Sequence, residues 1–385
     1  MDIVRRFFQN PKQSFFLFGP RGSGKSTWLK QCYPEALFLD LLSPTLFREL
    51  VARPERLTER VKGEKKRVVI LDEIQKIPEI LPVVHQLIEQ KDGRQFILTG
   101  SSARKLKRTG VNLLGGRALL RFMHPFMGAE LGKMFSLERS LKTGMLPIVL
   151  GAPDPADVLK TYAALYMREE VQLEGLVRNI GSFARFQESA SFSHGAVLNA
   201  SEVARECQVG RKAVEGYLEI LEDLLLAFRV PVFAKRAKRL LSQHPKFYYF
   251  DAGVFRQLRP SGPLDRTEEI EGAALEGLVA QHLRAFCDLD GRGYALYFWR
   301  TKAGLEVDFV LYGSAGLIAI EVKRSARLRS AELAGLKAFK SDYPMARTIL
   351  LHGGVERLQI GEVFCLPCEE FFHLLRPGLD WDKDL

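Results

Sequence analysis

The stretch Gly19-Pro-Arg-Gly-Ser-Gly24-Lys25-Ser26 follows directly on the apolar run Phe15–Phe18, and it narrows what the start of this chain can fold into. It fits GxxxxGK[ST] at every fixed position. Glycines at these places let successive backbone N–H groups curl around phosphate oxygens without a Cβ in the way. The STWLKQCY that follows reads as a helix whose N-terminus faces the same anion. Lys25 is expected to put a point charge on the β- and γ-phosphates, and Ser26 to coordinate Mg²⁺. Gly19, Pro20, Arg21, Gly22, Ser23, Gly24, Lys25, Ser26 and Thr27 are therefore the expected ATP-binding residues.

Residues 15–125 alternate between strand and helix patterns. Apolar runs at 15–18, 36–41, 68–71, 96–99 and 119–123 are separated by helical stretches, one of them at 79–90 after Pro78. This alternation argues for a parallel sheet covered by helices. The third run ends in Asp72-Glu73, two acids straight after buried-strand residues. Asp72 is expected to hold Mg²⁺ and Glu73 to act as general base on the attacking water. Thr99 and Ser101, at the end of the next run, read equally as γ-phosphate sensors or as turn-forming hydroxyls. Arg117, in Leu-Leu-Gly-Gly-Arg, is the candidate for an arginine finger acting in trans, which requires a homo-oligomer; a solvated arginine is the alternative.

Taken together, GPRGSGKST, FLDLLSPTLFREL, LDEIQKIPEIL, LTGSS, and LLGGR followed by HPF resemble the AAA+-related ATPases that carry a C-terminal DUF4143 region. The order and approximate spacing hold across most of residues 10–375. The resemblance implies an ASCE-type P-loop NTPase sheet with Walker A, Walker B and sensor positions at the residues named above.

In the middle of the chain, Leu198-Asn-Ala-Ser201-Glu-Val-Ala204 through Val214-Glu-Gly-Tyr217-Leu218 reads as a helix-turn-helix. Ser201 is a plausible N-cap, Ala204 is small where two helices cross, and Val214 and Leu218 share a face. A strand at 228–233 and the basic AKRAKRL (Lys235, Arg236, Lys238, Arg239) would supply a wing. Arg211 and Lys212 open the second helix, where DNA readers place their contacts, although the turn has Gln208 where glycine is usual. Contact with DNA and a purely structural role stand level.

The C-terminal segment holds a second constellation. Asp308 lies in the apolar strand 307–312, and Glu321 and Lys323 share one face of the strand 317–323 because side chains alternate with period two. Glu276 lies on the helix predicted over 272–286. This set resembles the PD-(D/E)xK nuclease core, a restriction-endonuclease-like α/β domain. In that reading Asp308, Glu321 and Glu276 bind Mg²⁺ or Mn²⁺, Lys323 activates water or neutralises developing charge, and Arg300 and Lys302 grip a phosphate backbone. The alternative is an ion-pair network in a core that has kept the fold without the catalysis.

The net charge of +10 favours phosphate-rich partners such as DNA or another nucleic acid. Five cysteines, including Cys365-Leu-Pro-Cys368, suit a reducing compartment, and the CxxC pair reads as buried small residues rather than a redox or zinc site. No apolar run reaches the roughly 18 residues a membrane span needs, and residues 1–19 lack a signal-cleavage pattern, so a cytoplasmic protein with no membrane partner is expected. The expected organisation is an ATPase domain at 1–135, a helical linker with winged helix-turn-helix at 136–260, and a nuclease-like domain at 261–385. The expected function is ATP hydrolysis whose nucleotide state regulates nucleic-acid binding. The rival is an ATP-dependent switch acting on a protein partner, with the nuclease-like part a scaffold.

Overall fold

A computed structural model describes residues 4–102, 114–173, 179–263 and 265–385. Leu113 of the LLGGR stretch, and the end of the helical pattern that runs to residue 176, lie outside the described residues. Residues 8–124 together with 223–225 form one compact unit and the rest of the chain forms a second.

The first unit is built on five parallel strands: β1 (Phe15–Phe18), β2 (Leu37–Asp40), β3 (Val68–Asp72), β4 (Gln95–Gly100) and β5 (Leu119–Phe122). Their order is β2-β3-β4-β1-β5. All four residues of β1 are buried, as expected of a central parallel strand covered on both faces. Helices α1 (Lys25–Cys32), α2 (Pro44–Ala52), α3 (Arg56–Gly63) and α4 (Leu81–Glu89) follow β1, β2 and β3. Phe16, Phe18, Leu71, Leu98, Leu57 and Val84 close one core between them. The helix expected over 79–90 is split, with a 3₁₀ turn at Pro78–Ile80 before α4. Pro78 and Pro82 account for this: each starts a helical turn readily, and neither can donate into a preceding one.

The second unit holds two sheets. In the smaller, β6 (Ala196–Val197), β7 (Ala227–Val230) and β8 (Lys246–Tyr249) are antiparallel in the order β6-β8-β7. They alternate with α5 (Ile180–Ser191), α6 (Ala200–Glu206) and α7 (Arg211–Asp223), giving helix, strand, two helices, two strands. The cap of α6 is Asn199, whose side chain accepts from the N–H groups of Ser201 and Glu202; Ser201 is one of the capped residues and not the cap. Gln208 takes the left-handed conformation (φ 54°) that the turn between α6 and α7 demands.

The strand expected over 228–233 stops at Val230 because Pro231 cannot extend the ladder. The chain then crosses to the larger sheet: Val232 bridges to Phe298, and Leu241 to Thr301. The basic stretch lies between these bridges. The Lys235 ammonium sits 4.2 Å over the Tyr312 ring and Arg239 pairs with Asp342 at 2.7 Å, while Arg236 and Lys238 are exposed.

After α8 (Ala252–Leu258), the 23-residue α9 (Thr267–Leu289) leads into the larger sheet. Strands β9 (Ala295–Arg300), β10 (Glu306–Gly313) and β11 (Gly316–Lys323) form an antiparallel meander. Helix α10 (Ala334–Asp342) then crosses to β12 (Arg347–His352), parallel to β11. Strands β13 (Leu358–Ile360) and β14 (Val363–Pro367) extend the sheet to six, and α11 (Cys368–Leu374) follows. Phe228, Val230 and Tyr248 of the small sheet share one core with Phe298, Phe309, Leu311 and Ile320 of the large one. Cys365 and Cys368 are buried free thiols, Cys368 pushed up to about 12 by burial. Among the described residues no helix is long and apolar enough to cross a membrane.

Candidate functional sites

In the first unit the sheet order brings two sets of residues to one end. The loop after β1 and the acids ending β3 both leave the carboxyl ends of parallel strands, with β4 between them. Gly22 and Gly24 have φ of 79° and 89°, so the loop takes turns that side chains resist. A Cβ on Gly19 would stand 2.4 Å from the Met123 carbonyl oxygen, which leaves room for glycine alone. The Lys25 ammonium is buried and donates to the carbonyls of Gly19 at 2.7 Å and Pro20 at 3.2 Å. Ser26 and Thr27 lie on the first turn of α1, and Arg21 is exposed at the loop's rim.

Asp72 is buried and accepts from the Thr99 hydroxyl, which in turn accepts from the Glu73 N–H at 3.3 Å. Thr99 thus ties the ends of β3 and β4 together. Glu73 has φ 63° and ψ 47°, a conformation that costs a non-glycine residue free energy and turns its side chain out of the strand's alternation. Its carboxylate accepts from Gln75 Nε2 at 2.5 Å, and the same amide donates to Ser101 Oγ at 3.2 Å. Gln75 Oε1 is buried with no hydrogen-bond partner among the described residues. The sequence reading missed Gln75: a glutamine two residues past an acid carries no signal of its own.

The loop's glycines, Lys25, Ser26 and Asp72 form a set that fits the phosphates and Mg²⁺ of a nucleotide. Arg117 is not brought to it. It precedes β5, whose register with β1 puts it at the opposite end of the sheet from the loop, and it pairs with Glu89.

In the second unit, Glu276, Asp308, Glu321 and Lys323 do converge, but with company that the sequence did not announce. The ammonium of Lys246, on β8, is 2.5 Å from Glu306, 3.0 Å from Glu276 and 3.2 Å from Asp308. Tyr248 donates to Glu276 at 2.7 Å. The other Asp308 oxygen accepts from the Val322 N–H at 3.0 Å, Glu321 accepts from the Asp308 N–H at 3.4 Å, and Lys323 pairs with Glu321 at 2.7 Å. Arg300 lies 3.4 Å from Glu306, and Lys302 is exposed.

Burial raises Glu276 to about 6 against the pull of Lys246, and burial with the neighbouring Asp308 raises Glu321 to about 8. Burial by itself would lower Lys246, but Glu276, Tyr248, Asp308 and Glu306 together hold it well above the ordinary lysine range. Among the described residues no group of three or more His, Cys, Asp or Glu is gathered as a metal cage. With an ammonium at its centre the cluster does not fit a Mg²⁺ or Mn²⁺ ion, and no metal step is assigned to it.

The fold of the first unit, with the set of residues at the end of its sheet, fits a P-loop nucleotide-binding domain of AAA type. Family profiles match an AAA domain over residues 11–132 and the domain of unknown function DUF4143 over residues 271–371, so the chain carries the architecture its motifs resemble. A further domain of unknown function, DUF8612, matches residues 134–265. Uncharacterized proteins of Mycobacterium bovis and Mycobacterium tuberculosis are each 25% identical over 365 residues, 92% of this chain and 80% of theirs. An uncharacterized protein of Methanocaldococcus jannaschii is 23% identical over 400 residues, 88% of this chain and 82% of its own. Among solved structures, replication initiator DnaA bound to AMPPCP and single-stranded DNA aligns at a TM-score of 0.28 and 14% identity, over 55% of this chain and 82% of that one. That similarity is too low to transfer a ligand.

Proposed function

We propose that this protein hydrolyses ATP at the end of the first unit's sheet. The observation that carries the reading is the chain of hydrogen bonds that fixes Glu73 beside Asp72 and Ser101, one strand removed from the phosphate loop. Bound Mg·ATP would supply the γ-phosphoryl group as electrophile. Lys25 would turn from the loop carbonyls toward phosphate oxygens, Ser26 and Asp72 would hold the metal, and Glu73 would take the proton of the attacking water. Lys25→Ala should abolish ATP binding, whereas Glu73→Gln should bind ATP and hydrolyse it about 10²-fold or more slowly. Normal hydrolysis by Glu73→Gln would remove Glu73 as the base. Arg117 would contribute only from a second copy of the chain; mixing Arg117→Ala with Glu73→Gln protein should then restore hydrolysis that neither variant has alone.

The order helix, strand, two helices, two strands in the second unit matches a winged helix, and Arg211 and Lys212 are exposed at the start of α7. A cleft of about 580 Å³ beside them is lined by Asn199, Ser201, Arg229 and His244 as well as Arg211. These features support nucleic-acid contact governed by nucleotide state. Binding that does not weaken as salt rises would exclude it, because phosphate neutralisation releases counterions. For the nuclease-like module, Lys246 favours the scaffold reading over cleavage.

A further inference from the structure

Lys246 is nearly solvent-free, and its ammonium has three protons to donate. Three carboxylate oxygens, from Glu276, Glu306 and Asp308, meet it at 3.0, 2.5 and 3.2 Å. Hydrogen bonds run to Glu276 and Asp308, and Glu306 adds an ion pair. Other donors reach the same carboxylates: Val322 N–H the second oxygen of Asp308, Arg300 the second oxygen of Glu306, Tyr248 the Glu276 oxygen that Lys246 meets, and Lys323 and Asp308 N–H reach Glu321. The distances around the ammonium, 2.5 to 3.2 Å, are those of an ammonium among carboxylates and all exceed the roughly 2.1 Å that Mg²⁺ requires. The ligand set itself, hard anionic oxygens from a helix and a neighbouring strand, is of the kind that divalent cations prefer.

We propose that Lys246 is the resident cation of this acidic site. A side chain delivered from β8 occupies the place of a divalent ion, so the wild-type module holds none there, and removing the ammonium opens a divalent-cation site. The physical need is plain. Buried carboxylates cannot remain ionised without a counter-charge, and an ammonium tethered to the chain supplies it without any ion from solution. The same arrangement locks the small sheet to α9 and β10, because all three acids lie on elements of the larger layer. The inference concerns the second unit alone and is independent of ATP hydrolysis.

The test uses the full chain without nucleotide and Mn²⁺ as probe, read by electron paramagnetic resonance and by thermal unfolding. Asp308→Asn and Glu276→Gln serve as site controls. Wild type is expected to show no Mn²⁺ binding that either control removes, and no rise in Tm with Mn²⁺. Lys246→Gln and Lys246→Met are expected to unfold at lower temperature, to gain one Mn²⁺ that is lost when Asp308→Asn is added, and to recover Tm when Mn²⁺ is present. Binding in wild type that depends on Asp308 or Glu276 would overturn the proposal whatever the lysine variants do. So would a folded Lys246→Gln or Lys246→Met that gains no ion.

Discussion

Gly100 ends β4 beside the acids, and its missing side chain is what lets Gln75 reach Glu73. A Cβ there would stand 2.4 Å from Gln75 Oε1 and 3.3 Å from its Cδ, with Phe18 Cε1 at 3.4 Å. Gly100 is not in the left-handed region, so alanine can take its backbone conformation, and the Gly19 N–H to Gly100 carbonyl bond can persist. In Gly100→Ala the cost therefore falls on the Gln75 amide, which must swing away and give up its bonds to Glu73 and Ser101. A bond to a charged group is worth about 1.5–3 kcal/mol and a neutral one about 1 kcal/mol, so stability should drop by roughly 2–4 kcal/mol. Glu73, freed to rotate, should lose alignment with water, and misplacement of about 1 Å costs on the order of 10²-fold in rate. ATP affinity should hold, because in the proposed function residues 19–26 hold the phosphates and Gln75 does not. A coupled assay for kcat beside titration with a fluorescent nucleotide separates the two quantities. Gln75→Ala should show the same drop in kcat, and the double variant should be no slower than either single one. A Gly100→Ala protein that hydrolyses at the wild-type rate, or that loses ATP affinity while kcat holds, would refute the positioning role of Gln75.

His282 donates Nδ1–H to Leu278 O and accepts the Gly128 N–H at Nε2, and burial lowers it to about 4. Its contribution is complete above the unfolded value of 6.5 and is lost as pH falls toward 4; at about 1.4 kcal/mol per unit this amounts to roughly 3 kcal/mol. Urea titrations from pH 7 to pH 4 should show the stability gap between wild type and His282→Asn closing as pH falls, and a gap constant with pH would contradict it. Gly277→Ala should destabilise by about 1–3 kcal/mol although alanine favours helix, because its Cβ would meet His194 Nε2 at 2.1 Å with the ring stacked 3.9 Å from Phe255. A rise in Tm would show that the ring moves aside freely. A fragment of residues 266–385 lacks Lys246, Tyr248 and Phe233 and should fail to unfold cooperatively by circular dichroism; a sharp transition at the Tm of the intact chain's second unit would show that the large sheet stands alone.

The first unit was legible because its chemistry is local. A phosphate loop needs its glycines, lysine and serine within eight consecutive residues, and a buried parallel strand announces itself as a short apolar run, here closed by an acid. Hence all five strands of its sheet fall within the expected runs or within a residue of them. What remained hidden depends on neighbours distant in sequence. Gln75 acquires a role only when β4 sets Ser101 and the bare Gly100 next to it. Arg117 reads as a finger from its place before β5, and only the parallel register shows that it stands at the far end of the sheet from the loop.

The second unit shows the opposite case. Period-two spacing placed Asp308, Glu321 and Lys323 on facing strands, and helical pattern placed Glu276, so the acids were foreseen as a group. Their counter-ion was not, because Lys-Phe-Tyr-Tyr carries no alternation and begins with a residue that is rarely buried. Lys246 belongs to the segment read as linker and wing, 30 residues before Glu276 and 62 before Asp308. The spacing of acids can say which carboxylates will meet. Whether the charge between them comes from solution or from the chain is decided by tertiary pairing, here by β8 folding against α9 through a core common to both sheets. A carboxylate-and-lysine pattern in two strands is therefore evidence for the fold that presents it, and it becomes evidence for metal chemistry only when every buried cation of the surrounding chain has been placed.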